Sequence, residues 1–171
     1  MSKIGDARDK GLKLATGLVA GAVATWAMKK VTTMLASSQK TGSKIEEAFA
    51  EKKPAEEVLV DKVSKKMGKR LSRKDRKRAV KGVKWGLGVG NGVAIAMARR
   101  RLGAGDSLLR GALFGVATFV LVEEILKPAV GVHKGPGALP WQAHARQFAG
   151  HATYGLVNAG VRKAAGKVLP V

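Results

Sequence analysis

The sequence contains no cysteine, which excludes disulfide bonds, thiolate metal sites and cysteine nucleophiles. Only three of the 171 residues are histidine, so a histidine-rich metal site is excluded as well. Acidic residues are scarce, with 12 Asp and Glu against 32 Lys and Arg, which leaves a formal net charge of +20. Aromatic residues make up 5% of a chain that is 46% hydrophobic and has 22 glycines, so its apolar content is mostly aliphatic and small.

Four stretches of the chain carry no charged residue: 14–28, 85–98, 111–122 and 147–161. Each is about 12–15 residues long and reaches about 17–20 when flanking Lys and Arg side chains extend to the membrane surface, which is close to the minimum for a span. We therefore predict an all-α polytopic membrane protein. It has four short Gly-rich transmembrane helices and a long basic helical loop between the first and the second.

Two other interpretations fit parts of this pattern. A soluble helical bundle needs a polar residue at every third or fourth position of its surface helices, and the run 14–28 offers only two threonines. A cleaved signal peptide fits the first run, because basic residues precede it and residues 36–38 resemble a cleavage site. Lys29 and Lys30, between the apolar core and that site, argue against a signal peptide.

Glycines recur four residues apart within the apolar runs. In water a glycine inside a helix costs about 1 kcal/mol relative to alanine, whereas in a bilayer this spacing lets helix backbones approach closely. We predict that these glycines pack the spans together and assemble the chain into a homo-oligomer or a larger membrane complex. The predicted packing residues are Gly17, Gly21, Gly86, Gly88, Gly90, Gly92, Gly111, Gly115 and Gly155.

Capping and turn residues divide the chain into segments. Ser72 followed by Asp75 is a weak capping box, Pro128 ends the third span and Pro140 begins the last helix. The predicted segments are 1–36, an N-terminal helix with the first span; 37–72, an acidic-then-basic amphipathic helical loop; 73–101, a basic helix continuing into the second span; 106–128, the third span; 129–139, a loop; and 140–166, the fourth span.

The long loop combines an apolar stripe with positive charge. Four residues recur at every fourth position, which predicts one helical face: Leu59, Val63, Met67 and Leu71. The segments 29–84 and 127–146, on one side of the predicted bundle, hold 21 of the 32 basic residues. The positive-inside rule then predicts that the loop 37–82 is cytoplasmic and that both termini are outside.

Three motifs carry a family resemblance: GLVAGAVATW in the first run, KRLSRKDRKRAVKGVKWGLGVGNG leading into the second, and PWQAHARQFAGHATYGLVNA in the fourth. With them the chain resembles the YagU-like family of small bacterial inner-membrane proteins. The most distinctive element is G-H-x-x-Y-G, here Gly150 to Gly155. The resemblance implies a multi-pass protein of the bacterial inner membrane, and it suggests a link to survival at acid pH.

Ionisable residues meet where the third span ends and the fourth begins. These helices are predicted antiparallel neighbours, so a glutamate of the third is expected beside a histidine or arginine of the fourth. The cluster either pins two helices together or forms a proton-responsive element. We predict no metal or cofactor, because two histidines seven residues apart are separated by about 10 Å of helical rise. The candidate residues are Glu123, Glu124, His144, Arg146 and His151.

Residues 62–84 contain twelve Lys or Arg and a single acidic residue. Three interpretations stay open: the tract contacts anionic lipid headgroups or an acidic partner, it binds nucleic acid, or it only orients the chain. No aromatic residue lies between Lys62 and Lys84, so base stacking is not expected. The candidate contact residues are Lys65, Lys66, Lys69, Arg70, Arg73, Lys74, Arg76, Lys77 and Arg78.

No pattern of a nucleophilic triad or of paired catalytic carboxylates is found in the sequence, so we predict a protein that is not an enzyme. The main hypothesis is a small integral membrane protein that acts as an accessory or assembling subunit. The alternatives are a membrane-tethered basic nucleic-acid-binding protein and a proton-responsive membrane protein involved in acid stress.

Overall fold

The computed structural model describes residues 3–51, 53–101 and 107–168, which form helices and turns without any strand. The predicted all-α class is confirmed for this part of the chain. In chain order the elements are α1 (Lys3–Ser37), α2 (Thr41–Ala50), α3 (Ala55–Lys66), α4 (Arg73–Arg101), α5 (Leu108–Phe119), a π-helix (Val120–Leu126), α6 (Lys127–Ala129), a 3-10 turn (Pro136–Ala138) and α7 (Trp141–Val168).

Four long helices pack side by side in the order α4, α1, α7, α5, because α1 contacts both α4 and α7, and α7 also contacts α5. α1 is antiparallel to α4, since Gly21 lies beside Gly92 and Thr25 lies beside Gly88. α5 is antiparallel to α7 in the same way. We call the end at which α1 and α5 finish the loop end; α2, α3 and the 130–140 connection lie there.

Glycines bring α1 and α4 into backbone contact. A Cβ atom built on Gly92 would lie 2.6 Å from Gly21 Cα and 2.9 Å from the carbonyl oxygen of Gly17. One built on Gly88 would lie 2.5 Å from the Thr25 hydroxyl oxygen. No residue larger than glycine fits at these positions while the helices keep this separation, which is the property that gives small residues their value between packed helices.

The contact between α5 and α7 is built in the same manner. A Cβ atom on Gly111 would lie 2.5 Å from the carbonyl oxygen of Gly155 and 2.5 Å from Ala159 Cβ. One on Gly115 would collide with the carbonyl oxygen of His151. Glycines thus join α1 to α4 and α5 to α7. Because α1 also contacts α7, the four helices form one packed unit.

Two glycines of the predicted packing set face away from the other helices. Nothing described lies within 4 Å of a Cβ atom built on Gly86 or on Gly90. They lie on the outer side of α4, because residues two positions apart point to nearly opposite sides of a helix and Gly88 and Gly92 face α1. Among the described residues, therefore, Gly86 and Gly90 do not pack the spans of this chain together, and their part in assembly stays a prediction.

The buried interior is small. Its hydrophobic residues are mostly alanine, and Tyr154 is the one large side chain among those described. The chain exposes 11170 Å² of surface, whereas a compact soluble protein of this mass exposes about 8000 Å². Large apolar side chains face outward on all four long helices, and they include Leu14, Val19, Trp26, Trp85, Leu87, Leu109, Leu113, Ile125, Phe148 and Leu156.

One helix among those described, Gly11–Ser37 within α1, is long and apolar enough to cross a membrane by length and composition. Its mean hydropathy is 1.3 over the best window, of which 22% is buried. The other three predicted spans, as far as the structure describes them, do not meet this criterion.

The apolar stripe predicted over residues 59–71 is not one helical face. α3 ends at Lys66, because Gly68 adopts a φ of 66° and the N–H of Lys69 donates to a carbonyl oxygen five residues earlier at 3.0 Å. Within α3 the buried side chain is Val60. The prediction of a continuous helical stripe is therefore wrong.

α4 begins at Arg73, the residue at which the capping pattern predicts it. The backbone N–H of Asp75 donates to Ser72 Oγ at 3.2 Å, and the Ser72 hydroxyl donates to the Asp75 carboxylate at 2.6 Å. These bonds satisfy groups that a helix N-terminus otherwise leaves without a partner.

Candidate functional site

The two glutamates of the candidate cluster lie in a widened helical turn. Residues 120–126 form a π-helix, in which the N–H of Lys127 donates to a carbonyl oxygen five residues earlier. Pro128 has no N–H to offer the preceding turn, which disfavours regular α-helical bonding at this point. A π-turn takes one more residue than an α-turn, and here both Glu123 and Glu124 reach α7.

Glu123 and His151 are buried partners, 7% and 6% exposed. His151 Nε2 lies 3.3 Å from one carboxylate oxygen of Glu123, and Lys127 Nζ lies 2.6 Å from the other. Lys127 also contacts Glu51, the residue that follows α2, at 3.2 Å. A buried carboxylate needs such partners, because an uncompensated buried charge is strongly destabilising.

A second histidine pairs with the second glutamate. His144 Nδ1 lies 2.7 Å from Glu124 Oε1, and its Nε2 lies 2.9 Å from the carbonyl oxygen of Pro136. Both ring nitrogens therefore face acceptors, and the doubly protonated imidazole is the form that donates to both. His144 ties the start of α7 to the π-helix and to the connection before α7.

Arg146, the remaining member of the predicted cluster, contacts neither Glu123 nor Glu124. Its guanidinium binds the Glu47 carboxylate of α2 with two nitrogens, one of them at 2.9 Å, and also donates to Gln39 Oε1 at 2.5 Å. The five predicted residues thus belong to three neighbouring pairs at the loop end, and α2 supplies the partner in one of them, Glu47 for Arg146.

The sequence analysis missed Glu47, Glu51 and Lys127. A signal was present, since six of the 12 acidic residues of the chain lie within 43–61. The pattern does not specify which acid meets which base, because Glu47 and Arg146 are 99 positions apart.

We expect Glu47→Ala to lower the free energy of unfolding by about 3 kcal/mol, because it leaves the Arg146 guanidinium, whose side chain is 11% exposed, without its carboxylate. Denaturant titration of the purified chain in detergent measures this. Glu46→Ala is the matched control, since Glu46 is exposed and makes no ion pair with any described residue. Equal losses for the two variants would contradict the assignment.

The basic tract presents an exposed surface at the loop end, which we call the basic surface. Its eight members are exposed, and none forms an ion pair with a residue that the structure describes: Lys65, Lys66, Lys69, Arg70, Arg73, Lys74, Lys77 and Arg78.

Arg76 was predicted to belong to the same contact surface, but it does not. Its guanidinium contacts Asp61 at 2.9 Å and Glu57 at 2.8 Å, so it joins α4 to α3 instead of facing a ligand.

The contact between α3 and α4 is expected to resist acid. Hydrogen bonds from Arg76, and then from Lys53, lower the pKa of Asp61 from 3.8 to about 2. Because the folded-state pKa is below the unfolded one, the stabilisation is complete above pH 3.8 and is lost as the pH falls through about 2. Hydrogen exchange of α3 amides between these pH values measures this, and Asp61→Asn should remove the pH dependence. Protection that is lost already at pH 5 would contradict it.

The G-H-x-x-Y-G element of α7 touches three other helices. A Cβ atom on Gly150 would lie 2.5 Å from a methyl group of Thr32 in α1. The Tyr154 hydroxyl donates to the carbonyl oxygen of Gly88 in α4 at 2.7 Å. His151 faces the π-helix and Gly155 faces α5. This element of α7 therefore contacts each of the other three long helices.

Within the described ranges no group of three His, Cys, Asp or Glu residues is arranged to hold a metal ion. No family model, curated protein or solved structure matches this chain. The resemblance to the YagU-like family stays a prediction.

Proposed function

We propose that this chain is a multi-pass protein of the bacterial inner membrane, spanned by its four long helices. It acts as an accessory or assembling subunit without enzymatic activity, and its basic surface contacts anionic headgroups. The observation that carries this proposal is that large apolar side chains face outward on all four long helices, while glycine and alanine form the contacts between the helices.

The free energy of exposing these apolar side chains to water favours a membrane environment for the outer surface of the bundle. Each square ångström of apolar surface left in water costs about 25 cal/mol relative to burial, and Leu109 and Leu113 of α5 are 69% and 59% exposed. The chain exposes far more surface than a compact soluble protein of its mass. Lipid chains would cover these side chains, and close backbone packing would then hold the helices together.

The ends of the charge-free runs supply groups suited to a membrane interface. Trp26 and Trp85, 59% and 48% exposed, lie at the end of the run 14–28 and at the start of the run 85–98, and Trp141, 73% exposed, begins α7. Lys30 places its ammonium 5.8 Å from the Trp26 ring centre, so its aliphatic stem lies along an apolar surface. Tryptophan and snorkelling lysine side chains are typical of this boundary, and they extend the short charge-free runs.

The outer face of α4 supports the assembling role. A row of small residues, Gly82, Gly86, Gly90 and Ala94, is exposed along this face, and α4 lies at the edge of the bundle. The other rows of small residues that the structure describes, on α1, α5, α7 and the inner face of α4, are closed against a neighbouring helix. We propose that a second copy packs on this row, α4 against α4, as small-residue rows do in membranes.

Carbonate extraction tests the location, and the native mass of the detergent complex tests the assembly. The chain is expected to stay in the pellet of carbonate-washed membranes and to run as a dimer or larger. Gly86→Leu with Gly90→Leu should yield a monomer that remains folded. Release of the wild-type chain by carbonate would overturn the membrane assignment, and a monomeric wild type would overturn the assembly alone.

A further inference from the structure

α2 crosses the loop end from one side of the bundle to the other. It begins two residues after Gln39, whose side chain accepts a hydrogen bond from Arg146 of α7. It is followed directly by Glu51, which contacts Lys127 at the end of the π-helix. Since the long helices stand in the order α1, α7, α5, α2 runs from the end of α1, past α7, to the end of α5. α2 therefore lies across the long helices instead of along them.

α2 docks on the bundle by its polar side. Ser43 and Glu47 are four positions apart and share one face of the helix. Ser43 is buried, and the Glu47 carboxylate binds the Arg146 guanidinium. A surface helix of a soluble protein shows the opposite arrangement, with apolar side chains against the core and polar ones toward water. The polarity of α2 is inverted with respect to that arrangement.

The other side of α2 is apolar and faces outward. Thr41, Ile45, Ala48 and Phe49 have the spacing of a single helical face, and all four are exposed. The two large side chains, Ile45 and Phe49, are 51% and 76% exposed. We call these four residues the outer face of α2. A short helix with one polar and one apolar face is typical of segments that lie in the plane of a membrane interface.

The surroundings of the outer face suit a headgroup layer. Trp141, a residue type that is typical of the membrane boundary, begins α7 five residues before Arg146 and is exposed. Lys40 and Lys44 are exposed beside the outer face, and Glu46 is the exposed acid of α2. Lysine side chains at the edge of an apolar face reach the headgroups while their stems lie along hydrocarbon.

A second copy of the chain is a poorer occupant of this face than lipid. Ile45 and Phe49 are already partly covered, and the other two residues of the face are small. Two copies of the outer face would therefore bury well under the area of about 1,200 Å² that a stable interface needs. Acyl chains need no such area, because ion pairs to the bundle already hold α2 in place.

We propose that α2 is an interfacial helix, which lies in the plane of the membrane and inserts its outer face into the boundary between headgroups and acyl chains. Ile45 and Phe49 contact the acyl chains. Glu47 and Glu51 hold the opposite side on Arg146 and Lys127. This rests on the proposed function, in which the four long helices cross the membrane.

The absence of cysteine allows a single spin label to be attached at a chosen position of the full chain. Ala48→Cys and Thr41→Cys place the label at two points of the outer face and leave Ile45 and Phe49 unchanged. Glu46→Cys is the matched control on the same helix, because this exposed position lies outside the outer face. Leu113→Cys, on the outward side of α5, reports separately on the spanning helices.

Electron paramagnetic resonance of each labelled chain in nanodiscs measures collisions with two reagents, oxygen, which concentrates in hydrocarbon, and a nickel chelate, which stays in water. Labels at positions 41 and 48 should collide more with oxygen, at a depth of about 5–10 Å into the boundary. The label at position 46 should collide more with the nickel chelate. Positions 41 and 48 are separated by about 10 Å of helical rise, so similar depths are expected only if α2 lies in the membrane plane.

The possible failures are distinguishable. A label at position 48 that collides mainly with the nickel chelate, while the label at position 113 is in lipid, would overturn the assignment of α2 and leave the spanning helices intact. A label at position 48 that is shielded from both reagents would indicate a protein contact and would also overturn it. A depth difference near 10 Å between positions 41 and 48 would exclude the in-plane orientation. A label at position 113 exposed to water would contradict the membrane assignment itself, and the assignment of α2 with it.

Discussion

Gly155→Leu is expected to separate α5 from α7 and to lower the free energy of unfolding by about 3 kcal/mol, in the upper part of the range for an over-packed contact. A Cβ atom at this position would lie 2.9 Å from the backbone nitrogen of Gly115 and would collide with the carbonyl oxygen of Gly111. Both obstacles are backbone atoms, so no side-chain rotation relieves the clash. Unfolding of the purified chain by increasing sodium dodecyl sulfate, followed by circular dichroism, measures the loss.

Gly166→Leu is the matched control for that experiment. Gly166 is also a helical glycine of α7, but nothing described lies within 4 Å of its Cβ position. We expect its unfolding midpoint to stay close to that of the wild type. If both leucine variants unfold alike, the glycine contact between α5 and α7 does not hold the bundle together.

Replacing the eight residues of the basic surface by glutamine is expected to abolish the attraction of this face for anionic vesicles. Each Lys or Arg near an anionic membrane contributes about 1 kcal/mol, so engagement of half of them predicts a loss on the order of several hundredfold. The binding of vesicles with and without phosphatidylglycerol, to protein held in zwitterionic nanodiscs, measures this across a salt series. Binding should weaken steeply with salt, because exposed charges are screened.

The matched control exchanges lysine for arginine, and arginine for lysine, at the same eight positions. This variant keeps the charge, so vesicle binding should remain close to that of the wild type. Duplex DNA is offered to the same nanodiscs as a second ligand. DNA binding that exceeds vesicle binding at equal salt would favour the nucleic-acid alternative and contradict the lipid proposal.

The candidate cluster shows which side-chain contacts a local sequence pattern predicts and which it does not. A glutamate of the third span was expected to meet a histidine or arginine of the fourth, because an antiparallel pair of helices joined by a short connection brings the end of one beside the start of the next. Glu123 and His151 lie 3.3 Å apart. Arg146 was expected in the same group but binds Glu47 instead. The difference arises because α2 folds over the loop end, and no short-range pattern specifies how a segment 99 residues away docks.

The glycine pattern shows a similar division. Spacing alone identifies a row of small residues on one helix face, yet it treats Gly86 and Gly88 alike. In the folded chain, Gly88 lies against Thr25 while Gly86 faces outward. Which of two interleaved rows is buried depends on the rotation of α4 about its axis, and this rotation is set by packing against α1.

By itself the sequence determined the helical class, the charge-free runs and the start of α4 at Arg73, because each depends on residues within a few positions of one another. Only the tertiary structure decided the helix order, the pairing of Glu47 in α2 with Arg146 in α7 and the widened turn that carries Glu123 and Glu124. These depend on contacts between distant segments. Their energies exist only once the helices are side by side, and the order of residues along the chain does not display them.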